Sequence, residues 1–579
     1  MPTLNWIGKE AVVNHHHQVP FHLLKDVPEL ACGQPGDGNL IVQGDNLVAL
    51  KALLPYYAGQ VKCIYIDPPY NTGDESWVYN DNVNSPVISE WLGKTVGKEG
   101  EDLSRHDKWL CMLYPRLALL RLFLRRDGVI FVSMDETEAG YLRLLMDDIF
   151  GRENALGSLV WKRRSSSAMR GTPLSVDHEY VFCYACEVGQ ARLYGLEKGL
   201  ESYPNEDERG RFASTDLTVG MGRDARPNQF YPITNPRTGR VYQPNPERVW
   251  RFYPETMQEV IAKGLIIWPD DFPERRMERP RYRTYFDPNT EKPKPVSSWI
   301  ETPTAAANAS SEAVEWDVTI LSSGMNQEGG KVLQQILGTK SFAYPKPVSL
   351  VTSLVQAATR SGDLILDSFG GSGTTGHAVL NSNKADGGNR RFILVEMESK
   401  IARDITAERV KRVAQGYTNA KGEQVEGLGG GFRFCELGEP LFDERGQIKP
   451  SVRFADLARH VYFTETGEPL PDLVGDDVRS LSSNPSGKES LRLLTSFPTK
   501  NWSPLLGVCR GVGIYLLFNG ILGDKSANGG NILTRSVLAQ LPKFDGQKVI
   551  YCAGCLLGKD RLQAERIIVR QTPYEIKIS

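Results

Sequence analysis

The sequence of 579 residues lacks any apolar run near the roughly 18 residues that a membrane-spanning helix needs, and it begins without the apolar segment of a secretion signal. Cysteine is scarce as well: the nine cysteines are odd in number and form no dense framework, as in reduced intracellular proteins. These absences exclude a disulfide-stapled scaffold. We expect a cytoplasmic protein with no membrane contact.

Neither sign of charge is in excess, because 68 Lys and Arg stand against 70 Asp and Glu. A surface for nucleic acid must then come from local clusters of basic residues. The CxxC pairs Cys183/Cys186 and Cys552/Cys555 lie far apart and lack the histidines and glycines of a compact zinc module. We therefore predict no metal site.

Apolar residues make up 40% of the chain and charged residues 24%, which is typical of folded globular proteins. Apolar runs alternate with stretches of helical periodicity, a pattern that indicates an α/β layer with parallel strands. Strands are predicted at 39–45, 61–67, 127–135, 363–369 and 391–397. Helices are predicted at 108–126, 141–150 and 344–359.

The length predicts several folding units, and changes in composition suggest their limits. Residues 1–186 and 341–420 are predicted to form the two parts of one α/β core. Residues 187–340, rich in Pro, Gly, Tyr and Arg, are predicted to be an insertion. After a glycine-rich linker at 421–431, residues 432–579 are predicted to form an independent α+β unit.

A glycine loop runs from Asp367 to Gly376, directly after one predicted strand and before helical sequence. Glycines at 371, 373 and 376 fit the GxGxxG spacing that lets a nucleotide-like ligand approach the backbone. Glu396 ends the next strand, where an acid can accept hydrogen bonds from ribose hydroxyls. The loop alone leaves a dinucleotide such as NAD or FAD open as the ligand.

The second motif is Asp67-Pro68-Pro69-Tyr70, again at the carboxyl end of an apolar strand. Two prolines fix the backbone and remove two N–H donors, which leaves hydrogen-bond acceptors beside an aromatic ring. Such a corner suits a planar amino group on a base, which becomes nucleophilic when its N–H groups are held by acceptors. A hydride-transfer enzyme has no use for this arrangement, so the motif argues against a dinucleotide.

Together these motifs resemble those of the amino-methylating DNA methyltransferases that use S-adenosylmethionine. The catalytic motif precedes the cofactor motif, as in the β group of that family. The strings YIDPPYNTG, FVSMDETE, HEYVF and YPKP are similar to those of type III modification subunits over roughly 5–415. The resemblance implies a Rossmann-like core split by a target-recognition insertion, plus a C-terminal α+β interaction unit.

The resemblance also implies roles for particular residues. Asp67 and Pro68 orient the target amino group within the motif that Pro69 and Tyr70 complete, and Tyr70 stacks on a base flipped out of the duplex. Asp in the first position favours adenine N6 over cytosine N4. The implied S-adenosylmethionine site comprises Asp367, Phe369, Gly371, Gly373, Thr374, Glu396 and Lys346.

Basic clusters are the candidates for contact with double-stranded DNA, with a solvated charged face as the alternative. The residues are Lys162, Arg163, Arg164, Arg276 and Arg281. The resemblance implies a homodimer and a restriction (helicase-nuclease) subunit as partners. A cytosine-N4 enzyme, a stand-alone adenine methyltransferase, a non-DNA amide substrate and a non-catalytic scaffold remain alternatives.

Overall fold

The computed structural model describes residues 4–33, 38–72, 104–165, 174–194, 203–271, 277–285, 295–303, 319–471, 503–519, 526, 530–573 and 576. Within these residues the chain divides into two compact units. One comprises 1–193 and 296–579, and the other comprises Tyr194–Pro295. No helix in the described ranges is both long and apolar enough to cross a membrane.

The first unit is built on a sheet of eleven strands. In chain order they are β1 His22–Asp26, β2 Leu40–Gln43, β3 Val61–Ile66, β4 Leu124–Met134, β5 Ala155–Lys162, β6 His178–Ala185, β7 Val296–Glu301, β8 Thr319–Ser322, β9 Leu364–Asp367, β10 Arg391–Glu396 and β11 Arg433–Pro440. The spatial order is β1-β11-β2-β10-β9-β3-β4-β6-β5-β7-β8.

The centre of this sheet is parallel, from β11 through β2, β10, β9 and β3 to β4. β6 runs antiparallel to both β4 and β5, and β1 runs antiparallel to β11. The central strands are buried on both faces, which explains their continuous apolar runs. The predicted mixed α/β class is confirmed, and every predicted strand is present.

Helices cover both faces of the sheet. Those of the first unit include Lys9–Val13, His15–Gln18, Asn46–Tyr57, Arg105–Phe123, Ala139–Phe150, Asn326–Leu337, Val348–Ala358, Thr374–Asp386, Glu408–Gln415 and Phe454–Thr466. The helix predicted at 108–126 ends three residues earlier, because Leu124 already begins β4. The helix predicted at 344–359 begins only at Val348, after Pro347.

The second unit, Tyr194–Pro295, has its own small core around Leu217, Trp250 and Trp268. Four antiparallel strands form its main sheet: Asn205–Asp207, Gly210–Asp216, Ile266–Ile267 and Arg281–Tyr285. This unit spans fewer residues than the predicted insertion of 187–340. The difference arises because β7 and β8 lie within that range yet extend the large sheet beside β5.

The C-terminal residues also differ from the predicted boundary at 432. β11, at 433–440, lies inside the large sheet between β1 and β2, and helix Phe454–Thr466 packs on helix Asn46–Tyr57. A further sheet follows, and one of its faces contributes Ile514, Leu516 and Val549 to the main core. Its strands are Leu505–Cys509, Val512–Leu516, Gln547–Cys552 and Ile567–Gln571, with connecting helices Arg535–Gln540 and Lys559–Ala564.

The opposite face of this C-terminal sheet forms a cluster of its own around Tyr515, Leu517 and Ile550. Alternate residues of one strand therefore enter two different cores, as strand geometry requires. The independence of this unit is reduced by the face that it shares with the rest of the first unit.

Candidate active site

Both sequence motifs lie at one edge of the large sheet. Asp67 directly follows β3, Asp367 ends β9, and Glu396 ends β10. These three strands are adjacent and parallel, with Ile64 beside Leu366 and Leu394 beside Asp367. Open α/β sheets bind their ligands outside the carboxyl ends of such strands. The structure thus brings together the two halves that the sequence separates by 300 residues.

Asp67 is held by a cation from the other half of the core. Lys346 Nζ lies 2.9 Å from Asp67 Oδ1, and both side chains are nearly buried. Burial raises the pKa of Asp67, and the charge of Lys346 opposes that rise. Burial works against the charge of Lys346, but the carboxylates of Asp67 and Glu179 outweigh it and raise the pKa of Lys346. Lys346, which the resemblance assigned to the cofactor, contacts the catalytic motif here.

Glu179 is a residue of the candidate site that sequence reasoning missed. Its side chain is 3% exposed and accepts hydrogen bonds from Tyr70 Oη at 3.0 Å and Arg163 Nη1 at 3.1 Å. Lys346 Nζ lies 3.5 Å away. Glu179 stands near the start of β6, and because β6 is antiparallel to β4, its start lies at the same edge as the ends of β3 and β4. The sequence signal was an acid at the start of the apolar run HEYVF, but that signal does not give the direction of the strand.

The side chain of Tyr70 is held at its hydroxyl and at its ring. The hydroxyl donates a hydrogen bond to Glu179, and Lys346 Nζ lies 4.6 Å from the ring centroid. Pro69 accepts a hydrogen bond through its carbonyl from Trp109 Nε1 at 2.6 Å. These contacts hold the motif in place, which favours precise placement of a planar substrate.

A second polar cluster holds the chain that leaves the motif. Asn71 has a left-handed backbone with φ of 58°, and its amide donates to Glu138 Oε1 at 2.5 Å and to the Arg105 carbonyl. His106 Nδ1 lies 2.6 Å from the same Glu138 oxygen. Burial raises the pKa of Glu138. Residues before and after segment 73–103 are thus tied to one fully buried acid.

The glycine loop is fixed by its own carboxylates. Asp367 accepts hydrogen bonds from the Phe369 amide at 2.9 Å and the Thr375 hydroxyl at 2.5 Å. Glu396 accepts from the amides of Gly371 and Glu398, both at 2.8 Å. Burial raises the pKa of Asp367 to about 7 and that of Glu396 to about 8.

Gly371 and Gly373 have φ of 48° and 77°, which only glycine adopts at little cost. A Cβ on Gly373 would lie 3.1 Å from the Thr406 carbonyl oxygen. Buried Arg409 secures the loop from behind, with Nη1 2.9 Å from both the Ser372 and Thr374 hydroxyls. The spacing of these glycines therefore reflects a bent, tightly packed loop.

The loop suits a cationic ligand better than a pyrophosphate. Buried Asp367 begins the loop, and buried Glu396 at the end of β10 already accepts a hydrogen bond from the Gly371 amide. Two phosphates would be repelled by these acids, whereas a cation favours their ionised forms. Carboxylate oxygens retain further lone pairs for hydroxyl or ammonium donors. S-adenosylmethionine, which carries a sulfonium, an ammonium and ribose hydroxyls, fits this set of acceptors.

The predicted DNA contacts lie in several settings. Lys162 is exposed, whereas Arg163 and Arg164 pair with Glu179 and Asp177. Arg281 donates to the hydroxyl and carbonyl of Ser214 within the second unit. Arg276 lies outside the described residues. Contact of these residues with DNA stays a prediction.

An open α/β sheet with a glycine loop and an acidic Pro-Pro corner at adjacent strand ends defines a Rossmann-like enzyme class. Residues 61–408 match the family model described as DNA methylase, and the chain belongs to that family. The match spans both motifs and the residues between them.

Three relatives show how far the similarity extends. The chain is 32% identical to the Mod subunit of the type III restriction-modification enzyme StyLTI of Salmonella typhimurium, over 65% of this chain and 57% of that protein. It is 30% identical to the EcoPI Mod subunit of Escherichia phage P1, over 69% and 64%. It is 29% identical to the type II methyltransferase M.KpnI of Klebsiella pneumoniae, over 73% and 98%. The matches thus span less than two thirds of either Mod subunit.

Proposed function

We propose that this protein transfers a methyl group from S-adenosylmethionine to the N6 atom of adenine in duplex DNA. The observation that carries the proposal is the placement of Asp67 and the glycine loop after adjacent parallel strands. The names of the relatives support a modification subunit of a type III restriction-modification system. A homodimer, a restriction subunit as partner and an interaction role for the C-terminal residues belong to this proposal.

Asp67, Pro68 and Tyr70 act on the substrate in this account. The Asp67 carboxylate and the Pro68 carbonyl accept hydrogen bonds from the two N–H groups of the target amine. This raises electron density on nitrogen, while Tyr70 stacks on the flipped base. Lys346 restricts Asp67 to one orientation. As nitrogen gains its new carbon, it loses a proton, and Asp67 is placed to accept that proton because burial raises its pKa.

Asp367, Glu396, Phe369 and the loop glycines would hold S-adenosylmethionine. When bound, this cofactor supplies a methyl group on a positively charged sulfur, which makes the carbon electrophilic. The protein's own contribution is alignment of the amine with that carbon and exclusion of water.

The direct test is transfer of label from methyl-labelled S-adenosylmethionine to unmethylated duplex DNA by the purified protein, followed by mass spectrometry of the nucleosides. We expect N6-methyladenine. N4-methylcytosine as the only product would assign the cytosine alternative, and label on protein but not on DNA would contradict the proposal.

The Glu179→Gln variant should reveal a positioning role. Glutamine can still accept the hydrogen bond of Tyr70, but it removes a negative charge that raises the pKa of Asp67. We expect the acidic limb of the pH profile of kcat to shift to lower pH, together with a fall in kcat of roughly tenfold.

The control for this variant is Glu187→Gln, which alters an acid just after β6 whose described side-chain contacts are exposed Arg126 and the side-chain amide of Gln190. It should leave the profile unchanged. A fall in kcat at Glu179→Gln with no movement of the acidic limb would assign Glu179 a purely structural role.

Binding of S-adenosylmethionine should strengthen as pH rises from 6 to 7.5. In the protein without cofactor, the pKa of Asp367 is about 7 and that of Glu396 is about 8. Both carboxyl groups therefore bind protons, and a cationic ligand must displace these protons when it binds. The affinity gain approaches at most about tenfold per pH unit for each proton released. The range stops at pH 7.5 because α-amino groups titrate at about 7.7 to 8.0, so the ammonium group of S-adenosylmethionine would begin to lose its charge above it.

Calorimetry in buffers of different ionisation enthalpy would count the released protons directly. Asp367→Asn should reduce the count, and uncharged adenosine should release fewer protons than S-adenosylmethionine. An affinity that is flat or falls across this pH range would remove the two carboxyl groups from the cofactor site.

A further inference from the structure

A cleft of about 800 Å³ lies in the C-terminal sheet, apart from the residues of the active site. Helices Arg535–Gln540 and Lys559–Ala564 both contribute to its walls, and Tyr515 and Lys548 contribute from the strands. Phe544, in the loop that follows the first helix, also lines it and is only partly buried. The volume is large enough for a nucleotide-sized group.

The walls of this cleft carry an excess of positive charge. Two acids line it, Asp545 and Glu565, against five bases: Arg535, Lys543, Lys548, Arg561 and Arg566. Residues 530–573 as a whole contain seven Lys and Arg but three Asp and Glu, in a chain whose net charge is −2. The local balance therefore opposes that of the whole protein.

Most of this charge is not neutralised by the residues that the structure describes. Arg561 pairs with Glu565 at 2.8 Å, and Lys548 Nζ donates to the Glu565 carbonyl at 2.9 Å. Arg535, Lys543 and Arg566 are exposed and have no ion-pair partner among the residues that the structure describes. Like charges held around one cleft repel each other unless an anion is present.

Backbone hydrogen bonds fix the position of one of these cations. Arg566 has a left-handed backbone with φ of 54°, and its carbonyl accepts from the Lys548 amide at 2.8 Å. A non-glycine residue in this conformation persists where its surroundings hold it. The base of the cleft is thus built by a fixed turn beside the strand that carries Lys548.

We propose that this cleft binds phosphate groups of duplex DNA outside the catalytic pocket. Lys and Arg side chains that neutralise phosphates release counterions, which gives affinity without sequence preference. The choice of DNA as ligand rests on the proposed function. Free nucleotides offer the same phosphate chemistry and are the other source that the test distinguishes.

The test compares two double variants of the full chain. Lys543→Ala with Arg566→Ala removes two cations of the cleft. Arg510→Ala with Lys559→Ala removes two exposed cations outside its lining, and Arg510 shares the left-handed backbone of Arg566. Fluorescence anisotropy with labelled duplex DNA across a salt series gives the slope of log K against log salt. We expect the cleft variant to lose about 0.9 of slope per lost phosphate contact and the control to match wild type.

A second arm titrates ATP into wild type and the cleft variant. ATP binding that the variant loses, with an unchanged DNA slope, would overturn DNA as the ligand and assign a free nucleotide. Equal DNA slopes in all proteins and no ATP binding would overturn the site itself. These outcomes can be distinguished from failure of the proposed function. Wild type is assayed separately for adenine methylation, and a negative result in that assay would leave the comparison of DNA slopes valid.

Discussion

Asp67→Ala should lower kcat for methyl transfer by at least about a thousandfold while leaving the affinity for S-adenosylmethionine nearly unchanged. The carboxylate belongs to the corner after β3 and pairs with Lys346, and its influence on the glycine loop is electrostatic, because its charge contributes to the raised pKa of Asp367. Lys346 retains Glu179 at 3.5 Å, so its charge is not left isolated by the change.

Isothermal calorimetry for the cofactor and single-turnover kinetics on DNA separate these two effects. Asp148→Ala, which removes a surface acid paired with Lys9, is the control and should keep both properties. Loss of cofactor affinity in the Asp67 variant would show that the corner and the cofactor site are not separate.

Gly371→Asp should have the opposite profile, with cofactor affinity reduced by more than about a hundredfold. Gly371 has φ of 48°, and its amide and carbonyl are bound to Glu396 and Thr406. The side chain adds backbone strain and occupies space where the proposed ligand must approach the loop backbone, and we expect this steric loss to outweigh the attraction of an added carboxylate for a cationic ligand. Gly371→Ala isolates the strain, and we expect it to cost about tenfold.

Gly387→Asp is the matched control for this loop. Gly387 also has positive φ, at 67°, but it ends helix Thr374–Asp386 with no atom within 4 Å of an added Cβ. It should bind the cofactor as wild type does. Normal calorimetric affinity in both Gly371 variants would place the cofactor elsewhere.

The two motifs could be located from sequence because each follows an apolar run that can only be a buried strand. VKCIYI is apolar except for Lys62, and LILD is apolar up to Asp367, as is typical of strands buried on both faces of a parallel sheet. The Pro-Pro dipeptide and the glycines restrict the backbone locally, so their geometry follows from the residues themselves.

Glu179 and its network could not be found in this way, because they depend on strand direction. The expectation of parallel strands drew attention to carboxyl ends, whereas Glu179 stands near the amino end of antiparallel β6. Local periodicity does not specify the direction of a strand within a sheet.

Part of the predicted linker at 421–431 packs closely against a helix, and this contact explains why glycine stands at 427. A Cβ on Gly427 would lie 2.4 Å from the Ala414 carbonyl, and the amides of Leu428 and Gly429 bond to Val413 and Ala414. Glycine here permits close approach to helix Glu408–Gln415, and composition alone does not distinguish this from flexibility. The packing of helix Phe454–Thr466 on helix Asn46–Tyr57 joins residues about 400 apart, which no local pattern reveals.

Sequencing of genomic DNA for modified bases, from cells that express the wild-type chain or the Asp67→Ala variant, tests the central claim most directly. We predict N6-methyladenine at one short sequence context with the wild type and none with the variant. The account would be contradicted by genomes without modified adenine in either strain, or by equal modification in both.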